Sequence, residues 1–385
     1  MDQVFYFGYD EKAYTTAQII DSLARQLYGA AYGQAFSPLP EAAKVARLTQ
    51  KLRGERHLLV LDNLESITGT ALPIQHTLDE AEQGRLHDPT QTVAGLAPDQ
   101  FRAAVESTFR AHYDGVGGAL AKLIQAKEPQ ERQLGQALTN LEYENLMTAV
   151  NQALAMQGDF YNAYEALFRF LDMQQAKQSA IELSQTVLTN QNNYSKDQLS
   201  RDIGKHFYLV YARLATSYLN TQQYDLAREA YEDGLEVVKN LQTVTKEIRG
   251  NYTAIIYHQL GIVAQTQRQW ATAESHYNQA LQLFIEFNDR YSQASTYHQL
   301  GRVVEELENW QEAFDFLFQD LIISLEFNDE HGAGITLRSL SRVWQAARSS
   351  PDFDKAAILK RLAASLNITP AEAQSLLEQM NHDAS

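Results

Sequence analysis

His258 and His298 stand at the same place in two copies of Tyr-His-Gln-Leu-Gly, Tyr257 to Gly261 and Tyr297 to Gly301, forty residues apart. So regular a step belongs to a structural repeat rather than to a catalytic pair. The spacings that build enzyme sites are missing. The chain has no H-E-x-x-H pair for zinc, no EF-hand loop and no Gly-x-Ser-x-Gly nucleophile elbow. It has no G-x-x-x-x-G-K-[ST] loop, the run whose backbone N–H groups and lysine cradle phosphates. Gly115-Val116-Gly117-Gly118 lacks the Lys-Ser/Thr ending and follows no strand, so it reads as a helix-breaking turn. With no cysteine, disulfides and thiolate metal sites are excluded. The expectation is a noncatalytic protein without a cofactor or metal.

The forty-residue step extends well beyond the histidines. It carries Trp270 to Trp310, Ala273 to Ala313, and Glu286-Phe287-Asn288-Asp289 to Glu326-Phe327-Asn328-Asp329. Self-similarity at such a period marks a stacked repeat, whose units bury their apolar faces against one another and present an extended surface. A first copy begins near Phe207, with Tyr211, Leu214, Ala215 and Tyr218 on one helix and Ala227, Tyr231 and Gly234 on the next. A fourth begins at Leu337 and degenerates around Pro351. Small residues such as Gly261 and Ala273 are expected where paired helices approach closely. Asp320 replaces a small residue in the third copy, so packing there is expected to differ.

This pattern resembles the tetratricopeptide repeat, in a variety with longer helices than the common 34-residue unit. The resemblance implies a right-handed α-superhelix of helical hairpins that binds a protein or peptide along a wall lined by the first helix of each hairpin. It also implies which positions line that wall: the residues one and five after the first marked aromatic, a spacing of four that puts both on one helix face. Mapped onto this chain, these are Ala212 and Thr216, His258 and Ile262, His298 and Arg302, and Arg338 and Arg342. The wall thus becomes more basic toward the C-terminus. Arginine pairs bidentately with carboxylates, which suits a partner with acidic groups. The bland reading is that Arg302 pairs with Glu305 or Glu306 and binds nothing. The tyrosines Tyr211, Tyr231, Tyr257, Tyr277 and Tyr297 read as packing residues, and Trp270 and Trp310 as plugs between repeats.

Upstream, Val4-Phe5-Tyr6-Phe7 is a strand signal, and Ile19, Ile20, Leu23 and Leu27 share one helical face. A second helical segment follows from Glu41 to Leu52, and His57-Leu58-Leu59-Val60-Leu61-Asp62 reads as a buried parallel strand. The run through Asp62 and Glu65 resembles the Walker B strand of NB-ARC-type signalling ATPases of the STAND class. The resemblance implies that Asp62 stands where such enzymes hold Mg²⁺, here as a vestige, since the phosphate loop and the sensor arginine strand are absent. Bacterial members of that class carry tetratricopeptide repeats downstream, which implies a role in signalling or assembly. The alternative is a regulatory NTPase whose phosphate loop lies upstream or on a separate chain.

The bulk numbers agree. A formal charge of −16 argues against nonspecific binding to nucleic acid or anionic membrane, and 44% apolar residues suffice for a real core. No stretch is apolar and long enough to span a bilayer, so a soluble cytoplasmic protein is expected. The chain is expected to divide into an incomplete α/β unit (1–92), a helical connector that includes possible degenerate repeats (93–200), the repeats proper (201–350) and C-terminal capping helices (351–385). The first two connector helices are expected around Phe101 to Ile124, interrupted by the glycines, and around Leu138 to Leu154. Thr369 and Pro370 are the expected N-cap and first residue of a cap helix.

Overall fold

The computed structural model describes residues 3–8, 16–29, 32–40, 43–44, 47–48, 57–62, 98–347, 350–351 and 353–380. They fall into two compact units, residues 1–113 and 114–385. In the first, β1 (Gln3–Gly8) and β2 (His57–Asp62) pair in parallel, Gln3 opposite His57 and Gly8 opposite Asp62. Between them lie α1 (Thr16–Tyr28) and the short α2 (Tyr32–Ala35). Ile19, Ile20, Leu23 and Ala24 are buried together with Phe36 and Leu48, as the helical spacing requires. The Arg25 guanidinium lies 4.5 Å from the Tyr32 ring centroid. The expected order of strand, helix and parallel strand is therefore present. Most of the segment Glu41 to Leu52 lies outside the described residues.

Helix α3 (Pro98–Ile124) runs without interruption through Gly115-Val116-Gly117-Gly118. The expected turn is corrected, and the reason lies in packing. A Cβ at Gly117 would sit 2.7 Å from the backbone of Ala163. Glycine here admits a neighbouring helix at backbone distance, which outweighs its cost of about 1 kcal/mol in a helix interior. The expected single helix around Leu138 to Leu154 is instead two, α4 (Pro129–Leu141) and α5 (Tyr143–Ala155), joined at Glu142.

Six further helices follow in hairpin order: α6 (Tyr161–Met173), α7 (Lys177–Thr189), the short α8 (Lys196–Leu199), α9 (Asp202–Asn220), α10 (Tyr224–Asn240) and α11 (Lys246–Thr266). From there the geometry is strictly periodic. Helices α12 (Trp270–Glu286), α13 (Arg290–Glu306), α14 (Trp310–Glu326) and α15 (Glu330–Ala346) each span 17 residues and start every twenty. Each is about 25 Å long. The forty-residue repeat is thus two equal half-repeats, joined by turns of one kind. Arg268, Asn288, Glu308 and Asn328, twenty apart, take positive φ of 54–60°. Behind each, the carbonyls are closed in the same way: Asn288 N–H donates to Ile285 O and Asp289 N–H to Phe284 O, at 3.2 and 2.9 Å. This is the Schellman pattern that ends a helix on a left-handed residue. Asp289 and Asp329 then cap the next helix, accepting from the N–H groups of Ser292 and Gly332.

The paired helices close on the small residues. A Cβ at Gly261 would lie 2.5 Å from the Tyr277 ring, and one at Gly301 2.7 Å from Leu317. Trp270 and Trp310 are the first residues of their helices and pack against the cores between successive repeats. At the C-terminal end, α16 (Lys355–Leu366) and α17 (Pro370–Gln379) cover the last repeat. Ala373 and Leu377 join Leu340, Val343 and Trp344 in one core, and Ser341 Oγ donates to Leu377 O. Thr369 caps α17 in a reciprocal box with Glu372, as expected.

Candidate functional site

The first helices of the hairpins position the wall residues, and the turns set their register. Arg302 lies six residues before the left-handed Glu308, and Ile262 six before Arg268. Those wall positions converge. Ile262, Arg302 and Arg342, the fifth residues after Tyr257, Tyr297 and Leu337, line one cleft of about 540 Å³ with Trp270, Gln299 and Glu306. Gln265, Thr266 and Glu305 complete it.

The charges in the cleft are not equivalent. Arg342 forms a fork with Glu305, its Nε at 2.6 Å and Nη2 at 2.7 Å from the two carboxylate oxygens. Glu305 is largely buried and needs that partner. Arg302 is exposed and has no ion-pair partner among the described residues. The expected competitor for Arg302 is thus taken by Arg342, one repeat on. Two arginines and two glutamates make the cleft locally neutral, with Arg302 as its uncommitted cation.

The other wall positions, His258, His298 and Arg338, do not line that cleft. His258 Nδ1 lies 3.1 Å from Thr296 Oγ1, and its ring packs on Tyr277 at 5.4 Å between centroids. Burial pulls its pKa down to about 4, so the imidazole is neutral at pH 7. His298 Nδ1 lies instead 2.9 Å from Asp320 Oδ2. Both imidazoles are engaged by the next helices rather than standing free along the wall. Arg338 is exposed, with Gly334 one turn before it. Asp62 ends β2, opposite Gly8.

Sequence reasoning missed a wall pair further upstream. The hairpin of α6 and α7 turns at Gln175, which has φ 57°, just as α9 and α10 turn at Gln222, φ 61°. That step of 47 residues places Tyr164 at the Tyr211 position, and Glu165 and Arg169 at the wall positions of Ala212 and Thr216. Glu165 is buried and bridged by Arg169 Nη2 at 2.5 Å and Arg213 Nη2 at 2.7 Å. Burial, together with the Glu165 carboxylate, pushes the nearby Tyr161 hydroxyl well above the usual phenol range. The available signal was the tyrosine ahead of the polar Gln174-Gln175 pair.

Among the described residues there is no group of three or more His, Cys, Asp or Glu side chains placed to hold a metal ion. No described helix is long and apolar enough to cross a membrane.

Helical hairpins stacked through small residues and closed by a cap make a helical-repeat fold of the tetratricopeptide type. Residues 252–317, from α11 to the middle of α14, match the family model described as tetratricopeptide repeat. No curated protein matches the chain at a significant level. Among solved structures, the chain is similar to BtubC (BKLC) from P. vanneervenii, with 18% identity over 66% of this chain and 93% of that one, at a TM-score of 0.46. It is also similar to aspartyl phosphate phosphatase F from Bacillus subtilis, with 12% identity over 96% and 95% of the two chains and a TM-score of 0.43. Likenesses this distant do not bear on function.

Proposed function

We propose that this protein is a noncatalytic interaction scaffold that holds an extended segment of a partner protein in the cleft between α11, α13 and α15. The observation that carries this reading is the convergence of Ile262, Arg302 and Arg342 on one open cleft with a single uncommitted guanidinium. Ile262 and Trp270 offer apolar contact, Gln265 and Gln299 offer hydrogen bonds to a backbone, and Arg302 offers a bidentate donor to one carboxylate. The partner is therefore a segment with an apolar side chain and an acidic group, rather than a highly acidic one, because Glu305 and Glu306 repel excess negative charge. Such a role fits a bacterial signalling or assembly protein of the cytoplasm.

A photo-crosslinking amino acid at Ile262, compared with one at Leu226 on α10, tests the cleft in the full-length chain. Adducts to one partner segment are expected from position 262, and Arg302→Glu should abolish them. Equal labelling from both positions, or labelling indifferent to Arg302→Glu, would place binding elsewhere.

A second reading has one observation in its favour. The parallel pairing of β1 with β2, with Asp62 at the strand end, supports a nucleotide-binding α/β reading. Calorimetric titration with ATP and Mg²⁺ tests whether this chain itself carries the site. Magnesium-dependent binding in the micromolar range would favour the regulatory NTPase; the scaffold reading expects none.

A further inference from the structure

The third repeat contains a pocket at positions that the second fills with buried apolar side chains, and two residue changes distinguish them. In the second repeat Ala254, Ala280 and Phe284 form a closed apolar core, with Phe284 2% exposed. Forty residues on, the same three positions are Ala294, Asp320 and Ser324. Exchanging phenylalanine for serine removes the ring that fills the space, and exchanging alanine for aspartate sets a carboxylate in its wall. The result is a pocket of about 250 Å³ lined by Tyr291, Ser295, Gln299, Ile323, Ile335 and Asp320, among others.

Carboxylates dominate its lining, with His298 its one basic side chain. Asp320 is only 5% exposed. Its Oδ2 accepts from Thr336 at 2.5 Å and faces His298 at 2.9 Å, whereas Oδ1 has only a long 3.4 Å contact with Ser324. Acceptor capacity is therefore left on a buried carboxylate, where a charge-assisted bond is strongest. Asp329, the cap of α15, contributes a second carboxylate to the lining, and no lysine or arginine lines the pocket. At the wall, Tyr291 is 60% exposed, with its ring edge-on to the exposed Phe327 at 5.6 Å. An aromatic face beside a carboxylate attracts an organic cation. A pocket smaller than a drug-sized site has room for one long side chain.

We propose that this pocket receives the basic side chain, Arg or Lys, of the partner segment that lies in the cleft. For the source of the cation this rests on the scaffold reading: Gln299 lines both pocket and cleft, so a segment in one passes the mouth of the other. The partner motif is then a carboxylate for Arg302 and, at a fixed short spacing, a basic residue for Asp320.

The repeat supplies its own control variants. Asp320→Ala and Ser324→Phe install the residues of Ala280 and Phe284, and the double variant recreates a core that this fold already packs. Butylguanidinium is titrated into full-length protein with labelled isoleucine methyl groups, with uncharged butylurea in parallel. Saturable shifts at Ile323 and Ile335 are expected for butylguanidinium alone, weakened roughly tenfold by Asp320→Ala, or about 1.4 kcal/mol, and absent in the double variant. No shift, an equal response to butylurea, or unchanged affinity in Asp320→Ala would overturn the cation pocket, whatever the fate of the cleft. Selection of displayed peptides on the same proteins supplies the second arm. A basic residue should be enriched on the parent chain and not on Asp320→Ala. Peptides that need Arg302 but carry no basic residue would overturn the pocket and leave the cleft standing. Peptides indifferent to Arg302 would overturn the cleft while the methyl titration still decides the pocket.

Discussion

The imidazole of His298 lies 2.9 Å from the carboxylate of Asp320, while the Nδ1 of its counterpart His258, forty residues earlier, meets the hydroxyl of Thr296. The difference originates on the facing helix, where Ala280 has become Asp320. Two copies of one pentapeptide therefore hold histidines in unlike electrostatic settings.

For His258 this has a consequence for stability against pH. Burial lowers its folded pKa to about 4, below the ordinary 6.5 of an exposed imidazole. The unfolded chain therefore takes up a proton in a range where the folded one does not, and stability falls as pH drops from 6.5 toward 4. Above 6.5 the effect vanishes. The loss at the acid end is at most about 3–4 kcal/mol. Denaturant titrations at pH 7 and pH 4.5 should show a smaller loss for His258→Gln than for the parent chain. An identical loss in both would contradict the burial argument.

Gly261 is a packing residue, because a Cβ there would lie 2.5 Å from the Tyr277 ring. Gly261→Ala should destabilise the repeats by about 1–3 kcal/mol, the usual cost of overpacking. The readout is the midpoint of thermal or urea unfolding. An unchanged midpoint would mean that the two helices are not in close contact.

The left-handed turn residues carry a mild cost. Glu308 has φ 60° with a Cβ present, where glycine would be at ease. Glu308→Gly is expected to stabilise by about 0.5–1 kcal/mol, as is common for helix-terminating positions of this kind. Urea midpoints compared with those of Glu308→Ala, which keeps the Cβ, isolate the effect. Equal midpoints for the two variants would show that the turn is unstrained.

Arg302 and Arg342 should separate in their effects. Arg342→Met strands a largely buried Glu305 and is expected to cost about 1–3 kcal/mol of stability. Arg302→Met removes an unpaired exposed guanidinium and should stay within about 0.5 kcal/mol, while weakening capture of the partner segment. Equal destabilisation by both variants would mean that Arg302 also has a structural partner.

The cap helix should be separable from the stack. Thr369→Ala removes the hydroxyl that accepts from Glu372 N–H at 3.2 Å, at a cost of about 1 kcal/mol. Hydrogen exchange should then quicken in α17 with little change in α13. Uniform quickening along the repeats would instead make the cap part of one cooperative unit.

Much of the fold was legible because it is written locally. The forty-residue step, the small residues between paired helices, the Thr369-Pro370 helix start and the two parallel strands follow from spacing and side-chain size, which a sequence displays directly. The candidate wall positions came from the resemblance to the tetratricopeptide repeat, and of them Ile262, Arg302 and Arg342 line the cleft while His258, His298 and Arg338 do not. What lies opposite was decided only in three dimensions. The helix continues through Gly115 to Gly118, and at Gly117 the backbone of Ala163 comes close enough to require glycine. Glu305 takes Arg342 rather than Arg302, although Arg302 is three residues away and Arg342 thirty-seven, because adjacent helices bring side chains nearer than the local helix does. Glu165 and Arg169 entered the wall through a turn at Gln175 whose conformation the sequence does not advertise. The sequence by itself determined the repeat and which face each residue shares. The tertiary structure decided which charges are spent on neighbours and which remain open, because ion pairing and burial depend on the facing helix and not on the residue's own.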